Sequence, residues 1–83
     1  MELEFYTPSS IVARATIQAV VIPGVKGELG ILPGHTELIT ELGEGRLVYR
    51  DTSGKVHTYH VRGGYAEITH KSVIVLAEEI FAS

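Results

Sequence analysis

The sequence contains no cysteine and no excess of positive charge. Without cysteine the chain forms neither disulfide bonds nor thiolate metal sites, so hydrophobic burial must stabilise it without covalent help. Seven Lys and Arg residues stand against ten Asp and Glu residues, which gives a net charge of −3. No basic surplus exists to neutralise phosphates, and this balance argues against nucleic acid as a partner.

The chain also lacks a long apolar run and a basic N-terminus. The longest stretch without a charged residue, Ala15–Val25, is interrupted by Pro23-Gly24. A bilayer span needs about 20 predominantly apolar residues, and this stretch is too short and too broken to be one. Glu2 and Glu4 stand where a secretory signal carries positive charge. We therefore expect a soluble protein on the cytoplasmic side.

The composition present is that of an ordinary globular protein. Hydrophobic residues make up 45% and charged residues 20% of the 83 positions. This balance predicts a packed core, and the length is about half that of a typical 150-residue domain. We expect residues 1–83 to form one domain, small enough to gain stability from a partner.

Apolar residues alternate with a period of two, and this pattern predicts strands. In Glu2–Tyr6 the pattern places Leu3 and Phe5 on one face. The more continuous Ala15–Ile22 predicts a central strand that Pro23-Gly24 stops. His35–Leu42 predicts a strand with inward leucines.

Two hairpins are predicted in the second half of the chain. Asp51–Gly54 connects the strands Arg46–Arg50 and Lys55–Val61. Gly63-Gly64 is expected to separate this hairpin from a second one, formed by Tyr65–Thr69 and Ser72–Ala77, and Ala77–Ser83 could begin a helix. Strands at intervals of about 8 to 12 residues predict an all-β fold, a small antiparallel β-sandwich or flattened barrel of about eight to ten short strands.

Gly24–His35 is rich in glycine. Its glycines lack the spacing of a phosphate-binding loop, and Pro33 excludes a helix at this place. We predict tight turns with positive φ rather than a nucleotide site. Glu28, flanked by Gly27 and Gly30, is expected at an exposed tip where it can contact a partner.

The polar residues do not form a recognisable catalytic or metal-binding pattern. His57 and His60 point to opposite sides of a predicted strand, and His35 and His70 have no acidic partner at a recognised spacing. Asp51 stands in a predicted turn, and no Gly-x-Ser-x-Gly elbow surrounds any serine. We therefore predict a non-enzymatic β-domain with no metal and no cofactor, in which a hydrogen bond from His35 fixes the entrance of a strand. The alternating glutamates have the pattern of a solvated face: Glu37, Glu41 and Glu67.

Several motifs occur in a fixed order along the chain: Gly27–His35, Leu38–Thr40, Gly45–Leu47, Gly63–Glu67 and Val73–Glu78. In this order and spacing the sequence resembles the N-terminal β-sandwich of the ε subunit of F-type ATP synthases. The resemblance implies a non-catalytic rotor subunit without a cofactor. It implies binding to the γ subunit on one side and to the polar loops of the c-ring on the other, so that ion-driven rotation reaches the catalytic head.

The resemblance also implies site residues and a location. It assigns Glu28, with its neighbours Gly27 and Lys26, to the c-ring contact, where a loop arginine can pair with the carboxylate. It assigns His35, Thr40 and Thr7 to the γ contact. The implied location is peripheral, on the cytoplasmic face of the bacterial inner membrane, with membrane contact only through the complex.

The sequence departs from the family pattern at Ile80-Phe81-Ala82-Ser83, where it ends. The family usually continues with two helices that inhibit ATP hydrolysis and in some bacteria bind ATP. We therefore expect neither the inhibitory latch nor ATP binding. The sequence is compatible with a naturally short subunit and with a shortened chain. A free-standing β-sandwich that binds a peptide or small ligand is the alternative hypothesis.

Overall fold

The computed structural model describes residues 1–81, which form strands, turns and loops without a helix. The predicted all-β fold is therefore confirmed. Seven strands follow one another along this part of the chain: β1 Glu2–Thr7, β2 Ser10–Gly24, β3 Gly27–Ile31, β4 Leu38–Glu41, β5 Glu44–Asp51, β6 Val56–Ile68 and β7 Ser72–Phe81.

The strand pairings close into a ring. β1 pairs with β7, β7 with β6, β6 with β5, β5 with β2, and β2 returns to β1, while β3 extends from β2 and β4 pairs with β6. All these pairs are antiparallel except β1–β7, which is parallel. Closure of this kind leaves few free strand edges, because only the short strands β3 and β4 have a single partner.

Two long strands explain why residues 1–81 contain fewer strands than the eight to ten predicted. β2 has 15 residues and pairs with β1 through its first part and with β5 and β3 through its second. β6 has 13 residues and runs through Gly63-Gly64, so the predicted break there is wrong. At this dipeptide the pairing of β6 changes from β5 to β4, and both glycines have positive φ.

The core fills the space between the two halves of this folded sheet. Leu3 and Phe5 are buried as predicted, and the Phe5 ring packs edge-on against Tyr59 with their centroids 5.2 Å apart. Every fully buried side chain among the described residues is apolar or aromatic. Burial of each large side chain contributes about 2 kcal/mol to folding. The largest of them are Phe5, Leu3, Ile17, Ile22, Ile31, Leu42, Leu47 and Ile68.

Two further predictions need correction. The predicted strand His35–Leu42 is shortened to β4, because residues 32–37 form a loop in which the Gly34 amide donates to the His70 carbonyl at 3.0 Å. Of its leucines, Leu42 is buried but Leu38 is 36% exposed.

The possible helix from Ala77 is also wrong, since β7 continues to Phe81 in register with β6. Ala82 and Ser83 lie outside the described residues.

Candidate functional site

The hairpin of β2 and β3 presents the residues that the sequence assigned to a c-ring contact. Gly24 pairs with Gly27, so Val25 and Lys26 form the turn, and Gly27 has a φ of +128° that favours glycine. Lys26 and Glu28 are both exposed, which confirms the predicted exposure of Glu28. An ammonium and a carboxylate therefore stand together at the tip of a short hairpin.

Backbone hydrogen bonds hold this hairpin to the end of β4. The Val25 amide donates to the Glu41 carbonyl at 3.0 Å, and the Gly43 amide donates to the Pro23 carbonyl at 2.8 Å. A Cβ at Gly43 would lie 3.5 Å from the Cα of Val25, in ordinary van der Waals contact, so the two segments run close together. The hairpin is thus attached to the sheet at its tip as well as along β2.

An apolar surface covers the outer side of β4, β6 and β7. Tyr65 pairs directly with Leu76, while Ile39 lies across from Glu67, which in turn pairs with Ile74. The exposed fractions are 69% for Ile39, 57% for Tyr65 and 53% for Leu76. Contiguous exposed apolar side chains of this kind mark interaction surfaces. We call the surface formed by Ile39, Tyr65, Ile74 and Leu76 the apolar face.

Three carboxylates lie on the same side of the sheet as the apolar face. The strand registers place Glu4 and Glu67 beside Ile74, and Glu41 beside Tyr65, on the outward side of the sheet. Among the residues paired with these strands, Arg14 on β2 is the cation nearest to the three carboxylates, because it lies directly opposite Glu4. Glu4 and Glu41 therefore border the apolar face on β1 and β4, whereas Glu67 on β6 lies within it, between Ile39 and Ile74.

The predicted γ-contact residues lie at different places around the apolar face. Thr7 ends β1 next to Tyr6, whose register partner is Leu76, and its hydroxyl is 2.8 Å from that of Ser10. Thr40 follows Ile39 but points to the other side of β4, where its hydroxyl donates to the Glu41 carbonyl at 3.2 Å.

His35 lies apart from both threonines, in the loop beside the β6–β7 turn. Its Nδ1 is 2.6 Å from the carbonyl oxygen of Thr36. The predicted hydrogen bond of His35 therefore exists, but it stays within the loop and does not reach the strand. The structure brings Thr7 and Thr40 to opposite edges of the apolar face and leaves His35 at one end.

A hollow of about 300 Å³ lies at the edge of the apolar face, and the sequence did not predict it. Its apolar walls come from Tyr65 and Leu76, and Glu78 lies on its border. The alternation of β7 gave a usable signal, since buried Val75 and Ala77 imply that Leu76 and Glu78 point outward. The remaining lining residues are Thr7, Pro8, Gly64 and Ala77.

Asp51 organises the turn between β5 and β6. Its carboxylate accepts hydrogen bonds from the Ser53 hydroxyl at 2.6 Å and the Ser53 and Lys55 amides at 2.9 and 3.0 Å, and lies 2.9 Å from His57 Nε2. The bonds from Ser53, followed by that of His57, hold the Asp51 pKa well below its ordinary value. These contacts stabilise the predicted hairpin and present no site for a substrate.

The histidines of β6 face opposite sides of the sheet, as predicted. His57 stacks on the buried ring of Tyr49 with centroids 4.5 Å apart, and burial raises the pKa of Tyr49 to about 12. His60 instead lies 3.2 Å from the exposed carboxylate of Glu44. Within residues 1–81, no three His, Asp or Glu side chains are grouped to hold a metal ion.

No helix long and apolar enough to cross a bilayer occurs in the part of the chain that the structure describes.

Comparison with known proteins identifies the family. The profile of the β-sandwich domain of the ATP synthase delta/epsilon chain matches residues 1–83. The ATP synthase epsilon chain of Desulfatibacillum aliphaticivorans is 45% identical over 76 residues, which are 92% of this chain and 54% of that protein. The epsilon chain of Desulforapulum autotrophicum is also 45% identical over 76 residues, covering 92% and 56%.

Solved structures agree with this match. A cryo-EM structure of the Euglena gracilis mitochondrial ATP synthase with its c-ring contains a chain that superposes with a TM-score of 0.88 at 25% identity, covering 95% of this chain and 51% of the other. The chain thus spans about half the length of the relatives it matches. From its sequence and its fold together, the chain belongs to the ATP synthase delta/epsilon family and carries the family's β-sandwich domain.

Proposed function

We propose that residues 1–83 act as one domain of the central stalk of an F-type ATP synthase, where they bridge the γ subunit and the c-ring. In this role the sandwich has no catalytic residue and needs no cofactor. It holds two partners at a fixed distance, so that rotation driven by ion flow is transmitted to the catalytic head. The observation that carries the proposal is a sandwich with an exposed apolar face and a separate polar hairpin tip.

The apolar face is the proposed surface for γ. Tyr65 and Leu76 form an adjacent cross-strand pair at its centre, and aromatic and large aliphatic side chains in such positions supply most of the binding energy of an interface. Thr7 and Thr40 lie at its two edges, and the loop of His35 lies at its end. Of the predicted γ contacts, Thr40 therefore contributes its strand and not its side chain, while the apolar centre supplies the main binding area.

The hairpin tip is the proposed surface for the c-ring. The carboxylate of Glu28 is exposed and can accept charge-assisted hydrogen bonds from a cationic loop side chain. A single exposed pair contributes about 0.2 to 1 kcal/mol. The contact therefore depends on repetition around the ring, and the ammonium of Lys26 beside Glu28 weakens or redirects it by repelling the same cationic side chain.

The two surfaces are joined through main chain. The hydrogen bond from Val25 to Glu41 connects the hairpin turn to β4, and the Leu42 amide donates to the Gly64 carbonyl at 2.8 Å in β6. Force applied at the tip therefore passes through paired backbone to the strands that carry Tyr65. This arrangement suits an element that transmits torque.

The proposed location follows from the complex. Bacterial relatives are epsilon chains of ATP synthase. We infer a peripheral position on the cytoplasmic face of the bacterial inner membrane, reached only through the other subunits.

A pull-down with the γ subunit of the same organism tests the proposal. The purified protein should retain γ from solution at stoichiometric amounts, and the pair should retain a detergent-solubilised c-ring. Failure of the wild-type protein to bind γ would contradict the proposal. Calorimetry that showed binding of an unrelated peptide and none of γ would favour the alternative, a free-standing binding module.

A further inference from the structure

We propose that the hollow beside Tyr65 receives a long cationic side chain, arginine or lysine, from the partner that covers the apolar face, with Glu78 as the counter-charge. This inference rests on the proposed function, since the partner is the γ subunit. It assigns a binding role to Glu78 and defines the chemistry that the partner must present at this point of the interface.

The hollow lies between Tyr65 and Leu76 on one side and the Thr7-Pro8 turn on the other. Gly64 also lines it, and β6 and β7 run so close together there that a Cβ on Gly64 would lie 1.9 Å from the carbonyl oxygen of Leu76. About 300 Å³ is at the low end for small-molecule pockets, so the hollow matches a protruding side chain better than an enclosed ligand.

The charge of the hollow comes from one carboxylate. Glu78 borders the hollow and also the adjoining groove of Ser10, Val12 and Ile80. Its Oε2 lies 2.9 Å from the position that a Cβ on Gly63 would take, so the carboxylate extends across β6. In residues 1–81 no ion pair and no side-chain hydrogen bond involves this carboxylate.

The neighbouring residue behaves differently. Glu79 points to the opposite side of β7, and its Oε1 accepts hydrogen bonds from Arg62, from Nε at 3.2 Å and from Nη2 at 2.5 Å. The two adjacent glutamates therefore differ in their contacts: Glu79 pairs directly with Arg62, whereas Glu78 acts on the same guanidinium only through its charge and makes no hydrogen bond to it. Glu79 is a matched control for Glu78.

A long cationic side chain satisfies both features of the hollow. Its methylene stem packs along Leu76 and Tyr65 while the charged end reaches the carboxylate of Glu78. The Tyr65 ring offers a further attraction to the cation. Glu4, Glu41 and Glu67 lie on the same side of the sheet, so the local field favours a cationic partner surface over an anionic one.

Titration calorimetry with γ tests this proposal. Glu78→Gln keeps the shape of the side chain and removes its charge, so binding to γ should weaken about 10-fold and lose part of its dependence on salt. Glu79→Gln should bind within about twofold of the wild type, since exposed charges outside an interface contribute little. Circular dichroism of both variants should match that of the wild type.

The outcomes distinguish a failure of the cation site from a failure of the proposed function. If the wild type binds γ and Glu78→Gln binds equally well with the same salt dependence, the hollow is not a cation site although the proposed function stands. If the wild type does not bind γ, the proposed function fails and this inference fails with it. A charge exchange gives a second test: Glu78→Lys should abolish binding, and one Arg→Glu or Lys→Glu change in γ should restore it. Restoration by none of the single γ variants would also overturn the proposal.

Discussion

The amide nitrogen of Val25 lies 3.0 Å from the carbonyl oxygen of Glu41 and donates a hydrogen bond to it. Val25 belongs to the hairpin tip that carries Glu28, and Glu41 ends the strand that carries Ile39. One backbone bond therefore joins the proposed c-ring contact to the border of the proposed γ contact. Backbone bonds fix geometry more firmly than long side chains, because they order no additional rotamers.

Replacement of Gly64 by Ala should destabilise the sandwich strongly. The residue has a φ of +107°, and the added Cβ would lie 1.9 Å from the Leu76 carbonyl oxygen. We expect a loss of about 3 kcal/mol or more in the free energy of unfolding, measured in urea. Gly30→Ala is the control, since no atom lies within 4 Å of its Cβ position and its φ is not positive. Equal stability of the two variants would contradict this packing.

Asp51 should stabilise the β5–β6 turn in a pH-dependent way. Hydrogen bonds from Ser53 and His57 hold its pKa below the ordinary value of 3.8. A lowered folded-state pKa contributes stability that is present above the unfolded pKa and is lost as the pH falls through the folded one. Asp51→Asn should therefore unfold at lower urea than the wild type at neutral pH.

The same difference should shrink as the pH falls below the ordinary pKa of 3.8, because the Asp51 carboxyl of the unfolded chain then takes up a proton while that of the folded protein stays ionised down to its lowered pKa. Urea unfolding of both proteins at several acidic pH values measures it. Ser53→Ala removes the hydroxyl hydrogen bond that lowers the Asp51 pKa most, and it should reduce the stability at neutral pH less than Asp51→Asn does. A difference between Asp51→Asn and wild type that stayed constant down to strongly acidic pH would exclude this role.

Glu28→Ala should leave the fold and γ binding unchanged but weaken coupling. The side chain is exposed and the contact we propose for it is to the c-ring loops, so its loss should affect transmission rather than folding. ATP-driven ion pumping by the reconstituted complex measures coupling. Glu37→Ala, another exposed glutamate, is the control. Normal pumping and normal assembly of the Glu28→Ala complex would remove this residue from the site.

Local features of the fold could be predicted from the sequence. Alternation placed Leu3 and Phe5 in the core, and the spacing from Asp51 to Gly54 identified the β5–β6 turn. In both cases the determining interactions lie within a few residues of each other. The exposure of Glu28 followed in the same way from its glycine neighbours.

Long-range features could not be predicted in this way. β6 continues through Gly63-Gly64 because β4 takes over from β5 as its partner, and β7 extends to Phe81 because β6 pairs with it. These pairings join residues distant in sequence, which local turn signals do not reveal. The hollow beside Glu78 was missed for the same reason, because its walls come from β1, β6 and β7.

The side of β4 to which the Thr40 side chain points could not be predicted from the sequence either. The resemblance assigned it to the γ contact, yet its hydroxyl bonds to the Glu41 carbonyl on the side of β4 that faces the hairpin. The outward neighbour Ile39 carries the exposed area instead. A motif can identify a strand of an interface, whereas the register decides which of its side chains reach the partner.

The most direct test of the account is the affinity for γ of two matched variants, Leu76→Asp and Val56→Asp. Both residues are exposed on β-strands, Leu76 at 53% and Val56 at 51%, but only Leu76 lies on the apolar face. Leu76→Asp removes the apolar side chain at the centre of the face and requires a carboxylate to lose its water when γ binds, so calorimetry should show a loss of about 100-fold or more. Val56→Asp should bind as the wild type does, and equal affinities of the two variants would contradict the assignment of the apolar face to γ.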